Sequence, residues 1–215
     1  MKLAESLAHS SSVVVRQKKE IAELLGFETR NKYEIAGERG ETIGYCAEQQ
    51  KGLFGFLARQ LLGHWRTFEL HFFDTDRSVA LRAFHPFRWF FQCLEVSDGR
   101  GALLGRLQQR FAIFTKTFDV LDPTGRLVLE MRSGFLSFWT FPVTRPGSPL
   151  VVAVIRKQWG GVLKELFTDA DTFQLEFTDP GLTAGERQLL LAAAVFVDLQ
   201  YFENKGGGGL GLLDG

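Results

Sequence analysis

"LLLAAAVFVDLQYFENKGGGG", Leu189 to Gly209, is the most apolar stretch of the chain, and whether it crosses a bilayer or fills a fold decides the architecture. Its uninterrupted apolar part ends at Val197, and Asp198 and Gln200 follow before Tyr201 and Phe202. Counted through Phe202, a helix here reaches only about 21 Å at about 1.5 Å per residue. A hydrocarbon core about 30 Å thick requires about 20 apolar residues. An ionised Asp198 adds a cost of about 2.5 kcal/mol near the bilayer centre, less toward the interface. Glu186 and Arg187 on one side, and Glu203, Lys205 and four glycines on the other, prevent any extension. A helix that is apolar nearly all round must still be enclosed by protein. The three alanines, Ala192 to Ala194, keep it narrow enough to thread a closed sheet. The stretch therefore reads as a buried plug, with Leu190, Ala193, Ala194, Val197 and Tyr201 in the core.

The rest of the chain supplies such a sheet. "VVVRQKKEIAELL", Val13 to Leu25, has helical character and stops at Gly26. Beyond it the pattern changes to period two. "NKYEIAGERGETIGYCAEQ" and "FELHFFDTDRSVALRAF" each read as strand, turn, strand. Three further units resemble one another: "LEVSDGRGALLGRLQQRF", "FDVLDPTGRLVLEMRSGF" and "FPVTRPGSPLVVAVIRKQW". Aligned on Val96, Val120 and Val143, they recur at about two dozen residues, as successive hairpins of a meander do. Asp98-Gly99 and Asp122 to Gly125 carry turn chemistry, Gly supplying positive φ and Pro presetting the first turn position. "FTDADTFQLEF" closes the series. The expectation is a mainly β protein: a closed antiparallel β-barrel of about 12 strands around a buried hydrophobic C-terminal helix, with a short N-terminal helix. Residues 1–12 read as a flexible N-terminus, 13–204 as one barrel domain, and 205–215 as a disordered Gly-rich tail.

Composition narrows the function. Lys plus Arg and Asp plus Glu number 25 each among 215 residues, which argues against a dedicated nucleic-acid binder with its basic excess. Phe is abundant at 21 residues, against three Tyr, which suits thick β-cores and apolar surfaces that touch lipid or partners. Cys46 and Cys93 share no metal-ligand spacing and read as free, buried thiols of a reducing compartment. Glu5, His9 and three serines interrupt the N-terminus, so no signal peptide is read there, and a cytoplasmic location is expected. His9, His64, His71 and His85 form no metal spacing, and there is no phosphate loop or nucleophile elbow. No enzyme is expected.

"GFETRNKYEI" (Gly26 to Ile35), "DTDRSVALRAFHPFRW" (Asp74 to Trp89), "KQWGGVLKELFTDADTF" (Lys157 to Phe173) and "LLLAAAVFVDLQYFE" (Leu189 to Glu203) closely resemble the phospholipid scramblase family. The likeness runs from about Val13 to Glu203 in order and spacing. It implies the tubby C-terminal-like fold, a closed barrel around a C-terminal helix, in the superfamily that includes the LURP-one-related proteins. It also implies calcium-stimulated, energy-independent movement of phospholipids between leaflets. Animal scramblases carry a proline-rich N-terminal extension and an acylated cysteine cluster; this chain begins almost directly at the domain. Where the cluster would fall it has "HPFRWFFQCLEV", with Cys93 alone. One lipid chain gives only marginal anchoring.

The resemblance transfers a calcium site onto Asp169 and Asp171, with Asp179 as a further ligand. Calcium takes six to eight oxygens, whereas Phe173 and Gln174 stand where an EF-hand loop has an oxygen and a glycine. The competing reading places these carboxylates in a turn, capping amides or pairing with Arg or Lys. Lipid contact is expected at two aromatic-basic stretches. "KGLFGFLARQLLGHWR" offers Phe54, Phe56, Arg59, Trp65 and Arg66; "FHPFRWFFQ" offers Phe87, Arg88, Trp89 and Phe90. Either stretch, like "SGFLSFWTF" (Ser133 to Phe141), has a plainer reading as packed core or a barrel cap, because neighbouring aromatics cannot all face one side of a strand. The expected protein is a monomer that meets phospholipids at the membrane surface, peripheral to the inner face of the plasma membrane. The alternative is a soluble intracellular ligand-binding or interaction module of the same fold.

Overall fold

The apolar stretch is enclosed from Leu189 to Leu199. The computed structural model describes residues 2–18, 31–49, 67–112, 115–134, 139–158 and 172–201. Among them are two helices, α1 (Leu3–His9) and α2 (Ala184–Tyr201), and twelve strands. These are β1 (Ser12–Gln17), β2 (Lys32–Ala36), β3 (Thr42–Glu48), β4 (Phe68–Phe73), β5 (Val79–His85), β6 (Cys93–Asp98), β7 (Leu103–Arg110), β8 (Thr117–Leu121), β9 (Leu127–Arg132), β10 (Thr140–Thr144), β11 (Val151–Gln158) and β12 (Thr172–Phe177). Each strand pairs antiparallel with its sequence neighbours, and β1 pairs with β12, so the sheet closes with no free edge.

Helix α2 runs down the interior. Leu190, Ala193, Ala194 and Val197 are fully buried. Phe196 touches the rings of Phe68, His85 and Phe118, on three different strands. Asp198, the charge that spoils a membrane span, accepts a hydrogen bond from Tyr33 Oη at 2.8 Å inside the barrel. Tyr201, at the end of α2, is partly buried, its ring 6.2 Å from that of Phe118. Gly105 marks where wall meets helix: at φ 152°, any Cβ would collide with the Leu121 carbonyl and press on Leu189.

Hairpins explain the closure. Those joining β2–β3, β4–β5, β6–β7 and β8–β9 share one design: a three-residue loop whose last residue has positive φ (Gly40, Arg77, Gly101 and Gly125), with a register shift at the strand end beside it. This is the type I turn with a glycine bulge, which adds right-handed twist at each corner. Arg77, at φ 70°, is the exception that lacks glycine's freedom.

Two expectations about the N-terminus are corrected. Val13 to Leu25 was read as helical, but Ser12–Gln17 is β1, with Val13 and Val15 inward and alternate residues outward. Three β-branched residues in succession favour that strand; residues 19–30 lie outside the described part. Within residues 1–12, read as flexible, Leu3–His9 instead forms α1 with Leu3 and Leu7 buried. A seven-residue helix is marginal alone, and here it is held at both ends. The Asp74 carboxylate accepts the Leu3 N–H at 2.6 Å, and Arg187 of α2 donates to the carbonyls of Leu7 (3.0 Å) and Ser10 (2.6 Å). Both placements match the helix dipole.

Candidate functional site

Antiparallel order gives the barrel two unlike ends. At the turn pole lie short connections, residues 37–41, 74–78, 99–102, 122–126 and 145–150, together with α1 and the start of α2. At the loop pole begin and end the connections 18–31, 49–67, 86–92, 111–116, 133–139 and 159–171, and α2 finishes there at Tyr201. Function-bearing loops commonly gather at one end of a rigid scaffold.

The described part of the loop pole is aromatic and exposed. Phe87 (39% exposed), Trp89 (61%), Phe90 (81%), Phe91 (48%) and Phe111 (71%) form a ridge, with Arg88 exposed between them. Phe87 and Trp89 meet edge to face at 5.2 Å, as do Phe91 and Phe111 at 6.4 Å. A contiguous cluster of this size is what marks an interaction surface. The loop beneath it is fixed. His85, stacked on Phe68 at 4.7 Å, donates through Nε2 to Gln92 Oε1 at 2.7 Å. The Gln92 amide donates in turn to the Phe90 carbonyl (3.2 Å), and Gln92 and Gln109 exchange hydrogen bonds across β6 and β7.

Beside the ridge opens a cleft of about 450 Å³ on the outer wall, lined by Phe87, Arg88, Trp89, Cys93, Glu95 and Arg106 among others. Burial pushes the Cys93 thiol up, with Glu95 adding to the effect and Arg88 and Arg106 opposing it. Cys46 is raised further by burial, then by Glu48. Both are free and buried, and both are poor nucleophiles at neutral pH because the thiolate is disfavoured.

Of the sequence-derived contact residues, Phe87, Arg88, Trp89 and Phe90 come together here. Phe54, Phe56, Arg59, Trp65 and Arg66 lie outside the described residues, as do the calcium candidates Asp169 and Asp171. Asp179 is described, and its carboxylate is held by protein groups. Its Oδ1 accepts the Gly181 N–H at 2.8 Å, and its Oδ2 faces the Arg145 guanidinium at 3.5 Å. Arg145 also pairs with Glu186 at 3.0 Å, while Glu186 and Thr183 cap the start of α2 reciprocally. Asp179 thus fastens the β10–β11 turn to the helix start. Among the described residues no cluster of three or more His, Cys, Asp or Glu side chains could hold a metal. Glu95, Arg106 and Phe111 were not singled out from sequence; the hairpin "LEVSDGRGALLGRLQQRF" does predict that Glu95 and Arg106 face each other, once its register is known.

Comparison with known proteins agrees with the fold. A protein of Arabidopsis thaliana with a solved structure shares the fold, at a TM-score of 0.51 and 11% identity, over 91% of this chain and 96% of that one. A phospholipid scramblase family protein of Schizosaccharomyces pombe is 25% identical over 97% of this chain and 64% of its own length. Phospholipid scramblase 1 of Homo sapiens is 28% identical over 94% of this chain and 66% of its own length. The chain therefore spans just under two thirds of these two relatives. The family model described as Scramblase matches residues 2–204, and the chain belongs to the scramblase family.

Proposed function

We propose that the protein docks onto phospholipid membranes through its loop pole and redistributes phospholipids from that surface. The observation that carries this reading is the exposed ridge of Phe87, Trp89, Phe90, Phe91 and Phe111 with Arg88 set among it. Aromatic and basic groups together suit the boundary between headgroups and acyl chains. The names of the relatives, phospholipid scramblases, support the same lipid class. The apolar surface of α2 is spent on the barrel interior, and no described helix is long and apolar enough to cross a membrane, so the reading works from one face of the bilayer.

Vesicle sedimentation tests it. Phe90 is largely exposed, and burying such a side chain is worth about 1.5–3 kcal/mol, so Phe90→Asp should weaken vesicle binding by at least about tenfold without changing the melting temperature. Equal sedimentation of the two proteins would refute the assignment of the ridge. A wild-type chain that ignores vesicles altogether would favour the interaction-module alternative. Calcium stimulation belongs to the proposal only through Asp169 and Asp171, and lipid-flip measurements with and without calcium on those two Asp→Asn variants read it directly.

A further inference from the structure

Building on the membrane reading, we propose that Gln92 is a positioning residue for docking: it ties the aromatic ridge to the end of α2, so that the ridge meets the bilayer already in shape. Four ridge aromatics, Phe87, Trp89, Phe90 and Phe91, stand on the connection between β5 and β6 and turn outward. A connection whose apolar side chains face solvent has little packing of its own to hold it. Beneath it lie His85, at the end of β5, Gln92, just before β6, and Gln109, on β7. They continue the alternation that points Ala83, Leu94 and Leu107 into the core. Gln92, only 7% exposed, uses both ends of its amide. Its Oε1 accepts from His85 Nε2 at 2.7 Å, and its Nε2 donates to the Phe90 carbonyl at 3.2 Å.

From Gln92 two routes lead to α2. One is made of rings: His85 lies 5.6 Å from Phe196 of α2 and is stacked on Phe68. The other is made of amides. The Gln92 N–H donates to Gln109 Oε1 at 3.1 Å, and the Gln92 carbonyl accepts the Gln109 N–H at 2.7 Å. Gln109 Nε2 then donates to the Tyr201 hydroxyl at 3.3 Å, at the last residue of α2. A connected polar network of this kind rigidifies what it joins. Phe90 is the most exposed of the ridge rings, and it is the residue whose carbonyl Gln92 holds. A loop ordered in advance loses less freedom on binding than one the bilayer must order, and the difference appears as affinity. Because the tie runs through α2, a change at Tyr201 reaches the ridge without altering any ridge side chain.

Two measurements on the full chain separate this inference from the membrane reading. The first takes the spectrum of a nitroxide replacing Phe90, in solution without lipid, in the otherwise unchanged chain, in Gln92→Met and in Tyr201→Phe. The second sediments the unlabelled chain and the same two variants with phosphatidylcholine vesicles. The expected result is faster tumbling of the label in Gln92→Met, a smaller change of the same sign in Tyr201→Phe, and none for a label at Thr124. Vesicle binding should weaken by about threefold to tenfold in Gln92→Met, and by less in Tyr201→Phe, which carries the test if Gln92→Met fails to fold. Vesicle binding with a label at 90 that stays ordered in the variants would overturn the tie and leave the membrane reading standing. A loosened label with undiminished sedimentation would overturn the role in docking. A lowered melting temperature with neither change would leave Gln92 a stabiliser of the fold alone, and would overturn the inference too. An unchanged chain that ignores vesicles would overturn the membrane reading and the docking role together.

Discussion

Removing the Phe196 ring tests whether the barrel closes on α2. The side chain is fully buried and touches three rings: Phe68 at 6.3 Å, His85 at 5.6 Å and Phe118 at 6.0 Å. Those partners sit on β4, β5 and β8, walls that cannot collapse together without breaking the closed sheet. Phe196→Ala should therefore leave most of its cavity unfilled and cost about 3–5 kcal/mol. At about 2–4 °C per kcal/mol for a chain of this size, the melting temperature should fall by about 6–20 °C. Urea unfolding followed by far-ultraviolet circular dichroism measures the first figure, and a thermal scan the second. The slope against urea should stay the same, since the mutation changes stability and not the surface exposed on unfolding. A loss below about 1 kcal/mol, typical of an exposed site, would mean that Phe196 faces solvent or lipid, and the enclosed helix would have to be abandoned.

Three further outcomes follow from particular contacts. Arg77→Gly should leave stability unchanged or raise it by up to about 1 kcal/mol, because the left-handed conformation at φ 70° disfavours a side chain; a clear loss in urea unfolding would contradict the turn geometry. Burial pushes the Tyr201 phenol up to about 12, so the folded state holds its proton longer than the unfolded chain. That contribution is intact below about pH 10 and is lost as pH rises toward 12. Tyr201→Phe should lose less stability than wild type over that interval, and parallel curves would refute the assignment. Asp179→Asn removes one half-buried partner of Arg145 and should cost less than about 1 kcal/mol, leaving calcium affinity unaltered; a loss of calcium affinity in calorimetry would place an ion at Asp179.

The barrel was legible because its signals are local. Val96, Val120 and Val143, on which three similar units align, stand on β6, β8 and β10 and are all fully buried. The turns within those units repeat chemistry that requires nothing distant. The plug was legible from length and from Asp198, whose partner, Tyr33, is far away in sequence. The N-terminal helix was not. Its stability comes from Asp74 and Arg187, contacts that exist only after the barrel has closed. Leu3 and Leu7, four residues apart, were the one local hint, too short to outweigh the serines that follow. At the site, the aromatic half was visible as "FHPFRWFFQ", whereas its charged half depends on strand register. Glu95 and Arg106 are eleven positions apart in sequence and become neighbours only through the β6–β7 hairpin.

Docking through the loop pole, with α2 still enclosed, is tested most directly by nitroxides at two positions on phosphatidylcholine vesicles. One replaces Phe90 at the loop pole; the other replaces Thr124, exposed in a turn at the opposite end. The account predicts that the label at 90 loses access to a water-borne nickel relaxant and gains access to oxygen, while the label at 124 stays in water. Two labels that both remain in water, or a label at 124 that enters the lipid instead, would contradict it.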